Sequence, residues 1–160
     1  MSRVSRILGV DPGSRITGYG VIEQEGNRLR LVAAGVIRAD RHRELPARLL
    51  AIHRGLTEVI ALHRPDRAAV EDLFTAVNPR SALKLGHARG VIILAAMEHG
   101  LPVAEYSPRV VKQAVAGYGQ ASKEQVQQMV RALLKLAASP SQDAADALAV
   151  AICCANHNPF

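Results

Sequence analysis

The order of the hydrophobic patterns is the feature that most constrains how this chain can fold. The run Arg6 to Asp11 is apolar on both faces of an extended strand until its last residue, which is typical of a strand covered on both sides. Two further strand patterns follow, Ile16 to Glu23 and Arg28 to Ile37, and Gly26-Asn27 marks the turn between them. The N-terminal part is therefore predicted to form an antiparallel meander of three strands.

The rest of the chain alternates helical and strand patterns. The predicted elements are a helix over Glu44 to His63, a strand over Arg67 to Glu71, a helix from Asn78 to about His99, a strand over Leu101 to Tyr106, a helix over Pro108 to Ala116, a helix after the capping signature Ser122-x-x-Gln125, and a last helix from Pro140 to about Asn156. Strand–helix–strand segments imply parallel pairing with right-handed crossovers. The predicted fold is α/β, a mixed five-stranded sheet with helices on both faces.

Length and composition exclude several classes of protein. The 160 residues correspond to one domain over residues 1–160. No apolar run approaches the roughly 20 residues of a membrane span, and no signal-peptide pattern is visible, so we expect a cytoplasmic protein without a membrane partner. Cys153 and Cys154 are adjacent and cannot form a disulfide framework. The net charge of +6 favours a polyanionic partner.

Four carboxylates fall where this fold can bring them together. Asp11 and Glu71 end the first and fourth strands, and sites in open α/β sheets lie beyond the carboxyl ends of strands. Asp143 and Asp146 are three residues apart in an alanine-rich helix, so they share one face. Ordinary roles stay open: Asp11 as a turn residue, Glu71 as a solvated strand end, and the helix pair as a complement to the helix dipole. The sequence alone leaves open whether the two strands are neighbours.

Four carboxylates in one cleft would predict a divalent metal site. Like charges repel one another unless cations lie among them, and oxygen ligands select Mg²⁺ or Mn²⁺. Two such ions would balance the four charges and could promote cleavage of a phosphodiester. The remaining residues comprise 20 Lys and Arg against 10 Asp and Glu, a basic surface suited to nucleic acid. Together these features favour a metal-dependent nuclease.

Three motifs resemble those of one enzyme family. The segment Leu8 to Gly20 is similar to the opening of the RuvC family of Holliday junction resolvases, Asn78 to Gly90 to its second signature, and Asp143 to Ala149 to its third. The resemblance covers nearly the whole chain. It implies an RNase H-like fold, a homodimer, and Mg²⁺-dependent nicking of four-way DNA junctions by two symmetric cuts that leave 5′-phosphate ends. It also implies a role in recombination and repair at the bacterial nucleoid, with the RuvA–RuvB branch-migration complex as partner.

The resemblance also implies roles for individual residues. The catalytic and metal-binding positions would be Asp11, Glu71, Asp143 and Asp146. The loop aromatic that opens the junction carries over to Phe74, and basic residues near the site carry over to Lys112 and Lys123. We also expect Arg80 and Lys84 to contact DNA phosphates. Judged from the sequence pattern alone, Phe74 could instead fold into the core, and each basic residue could be a solvated charge.

Several features allow two interpretations. Gly18 and Gly20 share a face of the second strand, where they would admit a phosphate backbone or mark a bulge. Gly86 and Gly90 have the spacing of close helix packing, with DNA contact as the alternative. The run Val91 to Leu94 is apolar all round, which suits either a dimer surface or a buried helix end.

Two other functions are compatible with the sequence. One is an RNase H-like nuclease that processes RNA, against which the segment Ser81 to Gly90 argues. The other is a non-catalytic DNA-binding module, against which the presence of all four carboxylates argues. The six histidines show no paired ligand spacing, so no zinc site is predicted.

Overall fold

The computed structural model describes residues 3–72 and 78–157. The strands are β1 (Val4–Asp11), β2 (Ile16–Glu25), β3 (Arg28–Arg38), β4 (Arg67–Glu71) and β5 (Val103–Tyr106). The helices are α1 (Leu45–His63), α2 (Pro79–Glu98), α3 (Pro108–Ala116), α4 (Lys123–Leu133) and α5 (Gln142–His157). The predicted order of elements is confirmed. Over the ranges described, no helix has the length and apolar character needed to cross a membrane.

The sheet places the first and fourth strands side by side. Its strand order is β3-β2-β1-β4-β5. Strands β1, β2 and β3 pair antiparallel, as the predicted meander requires, whereas β4 pairs parallel with both β1 and β5. Val10 is in register with Val70. The residues that follow them, Asp11 and Glu71, therefore lie at the same edge of the sheet.

Helices cover both faces of the sheet, as predicted. On one face, α3, α4 and α5 pack against the β1 and β2 side chains Ile7 and Ile22. On the other face, α1 and α2 pack against Leu8, Val10 and Val21. Neighbouring residues of β1 alternate between these two clusters, so the strand is apolar on both sides. The core thus explains the continuous apolar run at the start of the sequence.

Helix α5 begins later than predicted. Its first residue is Gln142 rather than Pro140. The hydroxyl of Ser141 accepts a hydrogen bond from the backbone N–H of Ala144 at 3.3 Å, which makes Ser141 the N-cap. The difference of two residues leaves both aspartates of this helix inside it.

Gly18 and Gly20 make room for α5, and both earlier interpretations of this pair are wrong. A Cβ on Gly18 would lie 2.1 Å from the backbone oxygen of Asp143, and one on Gly20 would lie 2.5 Å from Cδ2 of Leu148. Because α5 fills this space, no phosphate backbone can enter it. The register between β2 and β3 does shift after Gly20, between Val21 and Ile22, but the extra residue is Val32 of β3.

Candidate active site

A cavity at the carboxyl ends of β1 and β4 brings the four predicted carboxylates together. Asp11 and Glu71 are the last residues of these strands, and Asp143 and Asp146 lie in the first turns of α5. The cavity has a volume of about 450 Å³. Its lining consists of the four carboxylates together with Pro12, Gly13, Ile16, Pro108, Val111, Lys112, Lys123, Val126 and Ala149. The site is therefore built from segments that are far apart in sequence.

The turn after β1 fixes the position of Asp11. The hydroxyl of Thr17 donates to the carbonyl of Gly13 at 2.9 Å and accepts from the N–H of the same residue at 3.3 Å. Thr17 is completely buried, so these bonds are shielded from water. The connection between β1 and β2 is consequently held closed directly beside the carboxylate.

Burial and mutual repulsion raise the pKa of three of the carboxyl groups. Burial raises the pKa of Asp11 to about 8, and the charges of Glu71, Asp146 and Asp143 add to the effect. Burial also raises the pKa of Glu71 to about 7, with a further contribution from Asp146, while a hydrogen bond with Asp11 opposes the shift. The pKa of Asp146 is raised chiefly by burial. Four negative charges are thus unfavourable here without added positive charge.

Two lysines supply part of that positive charge. The Nζ of Lys123 lies 3.1 Å from Oδ2 of Asp146 and counteracts the rise in the pKa of that carboxyl. Lys112 also lines the cavity, and its charge acts to lower the pKa of Glu71. Both lysines are those that the family resemblance implies near the site.

The donor set fits hard divalent cations. All four groups are carboxylates, and oxygen ligands of this kind suit Mg²⁺ and Mn²⁺. Within residues 3–72 and 78–157, no three Asp, Glu, His or Cys side chains are already converged into a ligand set. The carboxylates line one cavity and repel one another across it. A cation bound among them would remove this repulsion and hold the carboxylates together. The chemistry of the donors and the crowding of their charges therefore agree with a metal site.

Comparison with known proteins identifies the family. The family model described as crossover junction endodeoxyribonuclease RuvC matches residues 7–154. The chain belongs to the RuvC family. A RuvC from Geobacter metallireducens, named crossover junction endodeoxyribonuclease, is 60% identical over 151 residues, which cover 94% of this chain and 92% of the relative. The protein of the same name from Vibrio vulnificus is 56% identical over 155 residues, covering 97% and 89%.

Solved structures agree with this RuvC assignment. Thermus thermophilus RuvC in complex with a Holliday junction substrate superimposes with a TM-score of 0.90 at 37% identity, covering 96% of this chain and 94% of that one. The yeast mitochondrial Holliday junction resolvase gives a TM-score of 0.68 at 15% identity, covering 95% and 78%, which shows the fold alone. The predicted RNase H-like fold is confirmed.

The other predicted site residues are Phe74, which the RuvC resemblance implies, and Arg80 and Lys84, which are predicted to contact phosphates. Phe74 is outside the described residues. Arg80 and Lys84 belong to the first turns of α2, where Arg80 is exposed and Lys84 is half-buried. Neither belongs to the described lining of the cavity. Their contact with DNA stays a prediction.

Sequence reasoning missed an ion cluster behind this RuvC cavity. Arg89 on α2 pairs with Asp72 at 3.3 Å and also with Glu105 on β5. Only 18% of the Arg89 side chain is exposed. Asp72 follows Glu71 directly, and its N–H donates to the carbonyl of Tyr106 at 2.7 Å. The only signal in the sequence was the position of Arg89, a charged residue three positions before a core residue of α2.

Proposed function

We propose that this protein is a structure-specific endonuclease that resolves four-way DNA junctions by paired, symmetric, metal-dependent nicks during recombination and repair. The observation that carries this proposal is the meeting of four carboxylates in one cavity in a chain of the RuvC family. The Thermus thermophilus member was solved with a Holliday junction substrate. A basic protein with an acidic cavity suits this substrate, because the basic surface attracts DNA while the cavity binds cations.

The four carboxylates would hold the metal ions. They are Asp11, Glu71, Asp143 and Asp146. The ion would be Mg²⁺, for which Mn²⁺ would substitute, and two ions per site would balance the four charges. Bound ions supply Lewis acidity for the attack of water on a phosphodiester, with 5′-phosphate ends as products. The strand ends and α5 hold the carboxylates in place before DNA arrives.

Basic and aromatic residues would position the junction. Lys112 and Lys123 stand in the wall of the cavity, where each would face a phosphate of the bound strand. Arg80 and Lys84 would extend the basic surface along α2. Phe74, close after Glu71 in the sequence, would stack on an unpaired base at the branch point.

A homodimer would supply the two active sites that paired cuts require. Helix α2 carries an exposed stripe, called here the α2 stripe, which consists of Leu83, Gly86, Gly90, Leu94 and Met97. Their spacing of three or four residues puts them on one face of the helix. The apolar run Val91 to Leu94 contains residues of both kinds, since Ile92 is buried in the core whereas Leu94 is 56% exposed.

The two glycines of the α2 stripe point to a second copy of this chain as the occupant. Apart from the flanking residues and the nearby backbone of α2 itself, the described chain places no heavy atom within 4 Å of a Cβ built on Gly86 or Gly90. The close packing predicted at these glycines is therefore not made within the described chain. Glycine weakens a helix interior by roughly 0.5–1 kcal/mol relative to alanine, so a benefit from outside the protomer is needed. Two stripes packed together would bury the exposed apolar side chains and allow close approach at the glycines.

We also propose the wider setting of this activity. Residues 1–160 would fold as a single nuclease domain, since both core clusters are built on one sheet. The protein would act in the bacterial cytoplasm at the nucleoid, as a partner of the RuvA–RuvB branch-migration complex. Support comes from its bacterial relatives, which are named as crossover junction nucleases.

The test of the proposed function is a metal-titrated nicking assay. The substrates are a synthetic four-way DNA junction, a linear duplex of the same sequence and a structured RNA. We expect Mg²⁺-dependent paired nicks in the junction alone. Asp11→Asn should bind the junction, with an affinity that falls steeply with salt, and should not cut it.

A matched variant separates the loss of a catalytic carboxylate from the loss of any negative charge. Glu25 is exposed at the end of β2, outside the cavity lining, and Glu25→Gln makes the same change in charge. This variant should cut at the wild-type rate. Full cutting by Asp11→Asn with Mg²⁺ present would contradict the catalytic assignment, and preferential cutting of the RNA would contradict the substrate.

A further inference from the structure

Lys123 forms an ion pair with one of the four carboxylates. Its Nζ lies 3.1 Å from Oδ2 of Asp146. Lys123 is the first residue of α4, and a capping box formed by Ser122 and Gln125 fixes the start of that helix. The N–H of Gln125 donates to the Ser122 hydroxyl at 3.1 Å, and the Gln125 side chain accepts from the Ser122 N–H at 2.8 Å. The backbone that carries Lys123 is thus anchored, while its long side chain can change direction.

The ion pair is weak enough to be exchanged. The side chain of Lys123 is 47% exposed and that of Asp146 is 21% exposed. Pairs with one solvent-exposed member are worth little, because water screens them and the lysine loses rotamer freedom. A divalent cation carries twice the charge and is held by several carboxylates at once. A cation would therefore win the competition for the Asp146 oxygen.

Lys112 provides a contrast within the same cavity. It is half-buried on α3 and lines the cavity beside Lys123. It acts on Glu71 through its charge, yet no carboxylate among the described residues lies within ion-pair distance of it. The two lysines therefore share the same formal charge and cavity but differ in their direct contact with a carboxylate.

We propose that Lys123 is an internal counter-cation that occupies the Asp146 oxygen in the metal-free protein and is displaced when a divalent ion binds. This inference rests on the proposed function, because it assumes that the four carboxylates bind metal. Displacement would release the ammonium group of Lys123 at the wall of the cavity, where it would be free to pair with a DNA phosphate. The lysine would then couple the arrival of metal to the capture of DNA.

The first test follows the lysines directly by NMR. The chain contains only four, Lys84, Lys112, Lys123 and Lys135, so a protein labelled with ¹³Cε-lysine gives four signals that single Lys→Arg variants assign. On titration with MgCl₂ without DNA, we expect a saturable shift of the Lys123 signal that exceeds the shift of Lys112. Lys84 and Lys135 serve as references that do not move. A Lys123 signal that stays in place while Mg²⁺ binds would overturn the proposal.

The second test measures Mg²⁺ affinity by calorimetry without DNA. Lys123→Met should bind Mg²⁺ about two- to fivefold more tightly than the wild type, as expected for the loss of a weak competing ion pair. Lys112→Met removes the same charge without breaking an ion pair and should gain less than twofold. Equal gains in both variants would overturn the displacement of Lys123 and leave the metal site intact. Absence of Mg²⁺ binding to the wild type would overturn both this inference and the proposed function.

Discussion

Gly18 on β2 lies directly against the backbone of Asp143 on α5. Any Cβ at Gly18 would meet the Asp143 carbonyl oxygen at 2.1 Å and its carbonyl carbon at 2.5 Å. Both partners belong to main chain, so neither can move aside as a flexible side chain would. The position of one carboxylate of the cavity therefore depends on the absence of a side chain at residue 18.

Gly18→Ala should disturb the fold and the site together. The added methyl group must push the first turn of α5 away from the sheet, which carries Asp143 out of place. Overpacking of this kind destabilises by roughly 1–3 kcal/mol. Urea unfolding should show this loss, and the nicking assay should show a slower rate per folded molecule. A variant with wild-type stability and rate would mean that α5 does not need this close approach.

Leu94→Glu should convert the proposed dimer into a monomer. Leu94 is 56% exposed, so the substitution leaves the core of the protomer intact, but it places a charge in the α2 stripe. Light scattering at increasing concentration measures the change. Leu62→Glu is the matched control, because Leu62 is 75% exposed on α1 outside the α2 stripe, and it should stay dimeric. Equal masses for the two variants would contradict the assignment of the interface.

Arg89→Gln should disrupt the ion cluster that holds the segment directly after Glu71. The change leaves the carboxylates of Asp72 and Glu105 facing each other without their shared cation. We expect a loss of roughly 1–3 kcal/mol in the free energy of unfolding, because hydrogen bonds to charged groups are removed. Since Arg89 does not line the cavity, kcat should fall more than the affinity for junction DNA.

Arg89→Lys separates charge from geometry. Both ion pairs are made by one guanidinium nitrogen, Nη2 of Arg89, and a lysine keeps the positive charge but places it on a shorter side chain. It should recover part of the stability and little of kcat. Full recovery of both quantities would show that charge alone matters at this position.

The pH dependence of stability should reveal the raised pKa of Asp11. Its pKa is about 8 in the folded protein and 3.8 ordinarily, so the folded state holds this proton where the unfolded state has released it. The contribution to stability is complete below about pH 4 and is lost as pH rises towards 8. In chelator at pH 8, Asp11→Asn should melt at least about 3 °C above the wild type, because about 1 kcal/mol moves Tm by roughly 2–4 °C in a domain of this size.

Divalent ions should reduce this difference in Tm. Bound Mg²⁺ stabilises the ionised carboxylates, so the wild type should gain Tm at pH 8 and Asp11→Asn should gain less. Differential scanning fluorimetry with chelator and with Mg²⁺, at pH 6 and pH 8, gives all the values needed. A difference between the two proteins that does not change with pH would contradict the raised pKa.

Local sequence patterns predicted most of the fold, whereas the features that the sequence did not predict depend on contacts between distant segments. Hydrophobic patterns together with turn and capping signals predicted the strands and helices. Asp11 and Glu71 were predicted at strand ends, and the pairing of β1 with β4 places them at one edge of the sheet. The contact of Gly18 with α5 joins segments more than a hundred residues apart, so no local pattern indicated it. The cluster around Arg89 likewise depends on which elements are neighbours. Such contacts follow from packing rather than from spacing.

Helix α5, which carries two of the four carboxylates, is the most deeply buried helix among the described residues. Every residue from Ala144 to Ala155 except Asp146 is buried. An element enclosed in this way opens only when the whole domain unfolds, so its amides should exchange with solvent more slowly than those of any surface helix. The spacing of Asp143 and Asp146 therefore persists for as long as the protein stays folded. If the proposed function holds, activity would be controlled by binding of ions, of DNA and of a second copy of the chain rather than by motion of α5.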